Sequence, residues 1–297
     1  MTVRSAGLRA AAFLCGLAIL LPALPVAPAG ATTAPGYDLV GRDGGVFAFG
    51  PSPGYQGSLP ALGVHVDDIV GLVPTPDDRG YLMSGADGGL FAFGDARYEG
   101  SLPGLGVRVD DVVGLVGTPD GRGYLMVARD GGIFAFGDAS YEGSLPADGV
   151  VVDDIEAVAA TPDGRGYWLL GTDGAVYAFG DAPYLGRLVC ATPPCAAPVD
   201  LAGVHRGTGF WVTDQRGAVY PFDPEPGGSA ARFYGDVPQA GVVTDDVVGL
   251  IPSPDDGGYL VVGQDGGTFT FGDQHNWGSL PQLGVHVGDI VGAVPTA

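Results

Sequence analysis

A glycine followed by an aromatic residue recurs at Gly36-Tyr37, Gly80-Tyr81, Gly123-Tyr124, Gly166-Tyr167, Gly209-Phe210 and Gly258-Tyr259. The first four intervals are 43 or 44 residues, and an insertion stretches the fifth. Periods of roughly 20–50 residues build solenoids, propellers or arrays, and about 40–50 is the propeller range. Composition agrees with strands and turns. The chain carries 54 glycines and 25 prolines, which helix interiors tolerate poorly. It is nevertheless 46% hydrophobic, enough to bury a core.

One unit shows the expected elements. DVVGLVG (111–117) is a β-rich apolar run stopped by the turn residues of TPDGRG (118–123). YLMVA (124–128) is a second run, followed by the tight-hairpin signal Asp130-Gly131-Gly132. IFAF (133–136) is a third, and YEGSL (141–145) reads as a fourth, outer strand. The two ends are out of phase in a complementary way. The repeat region starts at a second strand, YDLV (37–40), and stops after a lone first strand, DIVGAV (289–294). Paired, they complete one unit and remove two open sheet edges. The expectation is an all-β, six-bladed propeller of four-stranded antiparallel blades, closed by its terminal segments. Its innermost strands lie near Ile69, Val112, Ile155, Val199, Val247 and Ile290. A superhelical array of hairpins is the alternative, although it would want atypical capping repeats at both ends.

Arg4 and Arg9 precede an apolar run over 10–24 and the small residues Ala29-Gly30-Ala31, the pattern of a secretory signal peptide. The expected organisation is a signal peptide at 1–31, a short linker at 32–35 and one domain of six repeats at 36–297. A secreted or cell-wall-associated monomer with no membrane span after cleavage follows. In an oxidising compartment Cys190 and Cys195 are expected to form a local disulfide. A formal charge of −21 disfavours nucleic acid and anionic lipid as partners. The absence of lysine excludes Schiff-base chemistry and phosphate binding by a P-loop lysine.

Within the fourth unit, GYWLLGTDGAVYAFGDAPYLG (166–186) resembles the repeats of secreted actinobacterial proteins, where they occur alone or beside cell-wall hydrolase domains. The resemblance covers nearly all of the chain after residue 31. It implies a propeller-like extracellular module and brings no ligand or catalytic residue with it. The fifth unit departs most, with TDQRG (213–217) in place of the Asp-Gly-Gly turn and Pro221 in its third strand.

Two repeated motifs carry candidate chemistry. Asp95 and Tyr98, Asp138 and Tyr141, and Asp181 and Tyr184 place a carboxylate three residues before a tyrosine at the outer turn; Asp273 and Trp277 form a longer variant. A sugar site wants an acceptor for hydroxyls beside an aromatic face. The plainer reading is an aspartate that closes its own turn and a tyrosine that packs on a neighbour. Asp67-Asp68, Asp110-Asp111, Asp153-Asp154 and Asp245-Asp246 precede innermost strands and should ring the channel mouth. Such carboxylates could hold Ca²⁺, which takes about 6–8 oxygen ligands, or could simply solvate the linkers. No other cofactor is implied. No catalytic residue is legible, so the leading expectation is a non-enzymatic binding module for an extracellular glycan or protein. A glycan-active hydrolase or lyase with an acidic site at the channel mouth, and a structural calcium-stabilised envelope protein, are the alternatives.

Overall fold

The apolar runs between Pro-Asp and Asp-Gly turns form strands throughout a computed structural model that describes residues 35–51, 54–189, 196–224 and 230–296. β1 (Gly36–Gly41) and β2 (Val46–Phe49) come first. Five three-strand units follow. They are β3 (Ile69–Pro74), β4 (Gly80–Gly85) and β5 (Leu90–Gly94), then β6 (Val112–Gly117), β7 (Gly123–Ala128) and β8 (Ile133–Gly137). Next come β9 (Ile155–Ala160), β10 (Gly166–Gly171) and β11 (Val176–Gly180), then β12 (Pro198–Gly203), β13 (Phe210–Asp214) and β14 (Val219–Phe222). β15 (Val247–Pro252), β16 (Gly258–Gly263) and β17 (Thr268–Gly272) precede β18 (Ile290–Thr296). The chain divides into Met1–Thr32 and Thr33–Ala297. The expected signal peptide lies outside the described residues, and so do Cys190 and Cys195 with their expected disulfide. Among the described residues, no helix is long and apolar enough to cross a membrane.

The strands make six antiparallel sheets of three strands each, and the sixth has the order β18-β1-β2. The expected completion across the ends is therefore present. Asp38 pairs with Val294 on one side and with Ala48 on the other. Inner strands also neighbour one another between sheets: β3 with β6, β6 with β9, β9 with β12, β12 with β15, β15 with β18, and β18 with β3. The series returns to its start only because β18 supplies the inner strand of the first sheet.

The expected fourth strand is not one. In the segment after β5, the Glu99 N–H donates to the Tyr124 hydroxyl at 3.1 Å rather than to a strand, and Gly100 has φ +134°, which breaks an extended run. Tyr124 in turn donates to the Gly100 carbonyl at 2.6 Å. The same tyrosine-to-glycine bond joins Tyr81 to Gly57, Tyr167 to Gly143, Tyr259 to Gly235 and Tyr37 to Gly278. Five of the six outer segments are thus tied to the following sheet through a side chain. Phe210 breaks the pattern in the fifth unit because it has no hydroxyl.

Middle strands such as β7 are buried along their whole length, which explains their unbroken apolar sequence. Tyr124 stacks on Phe136 across the β7–β8 pair with centroids 5.3 Å apart. The Asp-Gly-Gly turns are packing devices as well. Gly88 has φ +73°, and a Cβ there would meet the Leu102 side chain at 2.5 Å, so only glycine lets the leucine seat beneath the turn. Pro221 lies on β14, the outer strand of its three-stranded sheet, where a proline is tolerated better than on a central strand.

Deleting residues 288–297 removes β18 and exposes β1 as an edge. The expected outcome is aggregation or a loss of several kcal/mol, against the roughly 5–15 kcal/mol that holds a typical domain. Sedimentation and denaturant unfolding would show it; a truncated protein as monomeric and stable as the full chain would contradict the closure.

Candidate functional site

Each inner strand carries a β-bulge near its start, and the extra residue is Val70, Val113, Glu156, Val199, Val248 or Val291. Bulges re-aim side chains. All six of these residues line one central cavity of about 520 Å³. A narrower part of about 150 Å³ is lined by the same six and by the residues that follow them: Gly71, Gly114, Ala157, Asp200, Gly249 and Gly292. The repeat therefore builds a collar of valines over a layer of glycine or alanine. It is broken at Glu156 in the collar and at Asp200 in the layer below.

Burial raises the Glu156 carboxyl above its ordinary range, and the Arg129 guanidinium opposes that shift. Arg129 Nη1 stands 3.8 Å from Glu156 Oε2, and both side chains keep substantial exposure to the cavity. Arg42, Arg129, Gln215 and Gln264, each directly after a middle strand, line the wider part. Asp200 accepts the backbone N–H groups of Leu201 and Leu250, each at 2.8 Å, and so bridges β12 to β15. Burial pushes its carboxyl up to about 6, partly offset by those two donors. It is crowded by protein yet keeps some accessible surface within the bore.

The paired acids are only partly where the sequence suggested. Asp110, Asp111, Asp245 and Asp246 line the cavity; Asp67, Asp68, Asp153 and Asp154 do not appear among its lining residues. Their shared structural role lies in the backbone. The carbonyls of Asp68, Asp111, Asp154 and Asp246 accept N–H groups from Ala86, Arg129, Thr172 and Gln264 at 2.7 to 2.9 Å. Among the described residues, no group of three or more His, Cys, Asp or Glu is placed to hold a metal ion.

At the outer turns, the aspartates are tied down and the aromatics are not. Asp95, Asp138, Asp181 and Asp273 accept hydroxyls from Thr75, Thr118, Thr161 and Ser253 at 3.1 to 3.3 Å. The same hydroxyls approach Asp77, Asp120, Asp163 and Asp255, and at Asp120 and Asp163 they hold the carboxyl below its usual range. Among the described residues no hydrogen bond joins Asp95 to Tyr98, Asp138 to Tyr141 or Asp181 to Tyr184. The aspartate locks two turns of its own sheet, while the tyrosine ring faces solvent.

Counting back from the positive-φ glycines Gly57, Gly100, Gly143, Gly186 and Gly235 gives the true register. Two residues earlier stand Tyr55, Tyr98, Tyr141, Tyr184 and Phe233, which are 50, 55, 51, 65 and 38% exposed. Tyr55, Tyr98 and Tyr141 each hydrogen-bond a serine three residues on, at 3.0 to 3.1 Å; Arg187 replaces that serine for Tyr184. Sequence comparison anchored on the aspartate misses Tyr55, which follows Pro51 instead, and Phe233. It also enrols Trp277, which sits in the register of Glu99. The Trp277 Nε1–H donates to the Pro35 carbonyl at 2.8 Å and its ring packs on His275, so it pins the start of β1. Comparison with protein-family models and with curated proteins finds no match for the chain.

The raised Asp200 carboxyl has a stability consequence of definite sign. The folded state keeps a proton that the unfolded chain releases near 3.8, so the contribution is full below about pH 4 and is lost as pH rises through about 6. Asp200→Asn removes this dependence. Thermal unfolding from pH 4 to 7.5 should show the variant gaining on the natural protein, by on the order of 1 kcal/mol after allowing for screening in the bore. A constant difference across the range would contradict the assignment.

Proposed function

We infer that this chain is a secreted, non-enzymatic binding module built as a six-bladed β-propeller, and that its peripheral aromatic residues bind an extracellular glycan polymer. The cyclic neighbours of the inner strands and the cavity lined by all six sheets support the propeller reading. The leader-like first 31 residues and the resemblance of residues 166–186 to secreted repeat proteins support export.

One observation carries the function: five of the six units hold an exposed aromatic residue at the same place, Tyr55, Tyr98, Tyr141, Tyr184 and Phe233. An aromatic face stacks on the apolar side of a sugar ring, and the serine bonds fix three of the tyrosines at little further entropy cost on binding. Equivalent weak sites engage a polymer together and gain avidity that no single site has.

Pull-down on purified cell-wall polysaccharides, followed by titration with the best, tests this. Replacing Tyr98, Tyr141 and Tyr184 together by alanine should weaken polymer binding about a hundredfold or more, while each single replacement costs far less. Circular dichroism should be unchanged. A folded triple variant that binds the polymer as well as the natural protein would overturn the reading.

A further inference from the structure

Glu156 and Asp200 occupy places where the other units use valine and a glycine or alanine, on the neighbouring strands β9 and β12 and one register step apart. We propose that the central cavity binds a protonated alkylamine, its ammonium received by Glu156 and Asp200 and its methylene stem packed on the collar of Val70, Val113, Val199, Val248 and Val291. This site is separate from the peripheral aromatics, so its test stands independently of the glycan reading.

Charge and apolar lining select this chemistry. The narrow part of the cavity is lined by two carboxylates and no arginine, whereas Arg42 and Arg129 are confined to the wider part. An anion reaching the collar would meet the carboxylates of Glu156, which has the Arg129 guanidinium at 3.8 Å, and Asp200, which shares its part of the cavity with no arginine, while Asp110, Asp111, Asp245 and Asp246 around the wider part attract a cation. A bare metal ion wants about six oxygen ligands, and the described residues assemble no such set. An ammonium offers three donors to two carboxylates, and an alkyl stem gains from leaving water for valine methyls. The protein has no lysine of its own to supply such an ammonium; the cation it places near the site is the Arg129 guanidinium, 3.8 Å from Glu156. The amine is either a free diamine or the lysine side chain of another protein.

Calorimetric titration of the purified protein at low ionic strength with 1,5-diaminopentane, Nα-acetyl-lysine amide and 1-pentanol separates these cases. The two amines bind saturably and the neutral alcohol does not. Tighter binding of the diamine identifies a free amine as the source; tighter binding of the lysine amide identifies a partner's lysine. Glu156→Val and Asp200→Gly install residues the repeat already uses at these places, and each should weaken binding about tenfold or more, as loss of a charge-assisted contact does. Glu156→Gln reports the same loss with the shape kept, should Asp200→Gly unfold. Arg42→Gln should leave binding unchanged or strengthen it. The proposal is overturned if the folded protein shows no saturable amine binding at about 10 mM. It is equally overturned if pentanol binds as well as the amines, or if the folded double variant binds like the natural protein.

Discussion

The antiparallel pairing of β1 with β18 joins segments from opposite ends of the repeat region, and the remaining sheets take their places around it. Bringing distant segments together costs loop entropy, but that cost grows only slowly with length. The return is large. β1 becomes a central strand, β3 and β15 each gain an inner neighbour, and Val291 is brought to the cavity. Two side chains reinforce the junction: Tyr37 donates its hydroxyl to the Gly278 carbonyl, and Trp277 donates its indole N–H to that of Pro35. Burial accordingly raises the Tyr37 hydroxyl pKa above its ordinary value.

Around this closed series the repeat supplies sameness, and the candidate sites come from both its copies and its exceptions. Copying places an exposed aromatic residue on five units, which suits a surface that meets a repeating ligand. Departure from the copy builds the interior. A single glutamate among five valines, and a single aspartate in a glycine and alanine layer, turn a symmetric bore into one with a direction and a charge. The cost is visible in the raised carboxyl of Asp200, whose bonds to Leu201 and Leu250 only partly compensate its burial.

The period, the three inner strands of each unit and the composite sheet were legible because turn residues mark every hairpin and the two ends are complementary in phase. The outer strand was misread because YEGS has strand-like spacing, while its fate is decided by Gly100 at φ +134° and by the Tyr124 hydroxyl, a contact 25 residues away. Anchoring the outer motif on aspartate also obscured its register. Gly57 and Gly235 mark Tyr55 and Phe233 as members, and Gly278 shows that Trp277 is not one. Glu156 and Asp200 escaped notice beside the conspicuous acid pairs. Comparing the units position by position would have exposed both, but that they face the cavity depends on bulges with no residue signature of their own.

Hydrogen exchange followed by mass spectrometry on the intact chain tests the closure most directly, because it reads the ladder between the ends without altering a residue. Buried, paired strands exchange only through costly opening. Residues 36–41 should be protected to the same degree as the middle strands β4 and β7, and residues 290–296 to the same degree as the inner strands β3 and β6. Rapid exchange of both terminal segments, with β3, β4, β6 and β7 still protected, would contradict the closure.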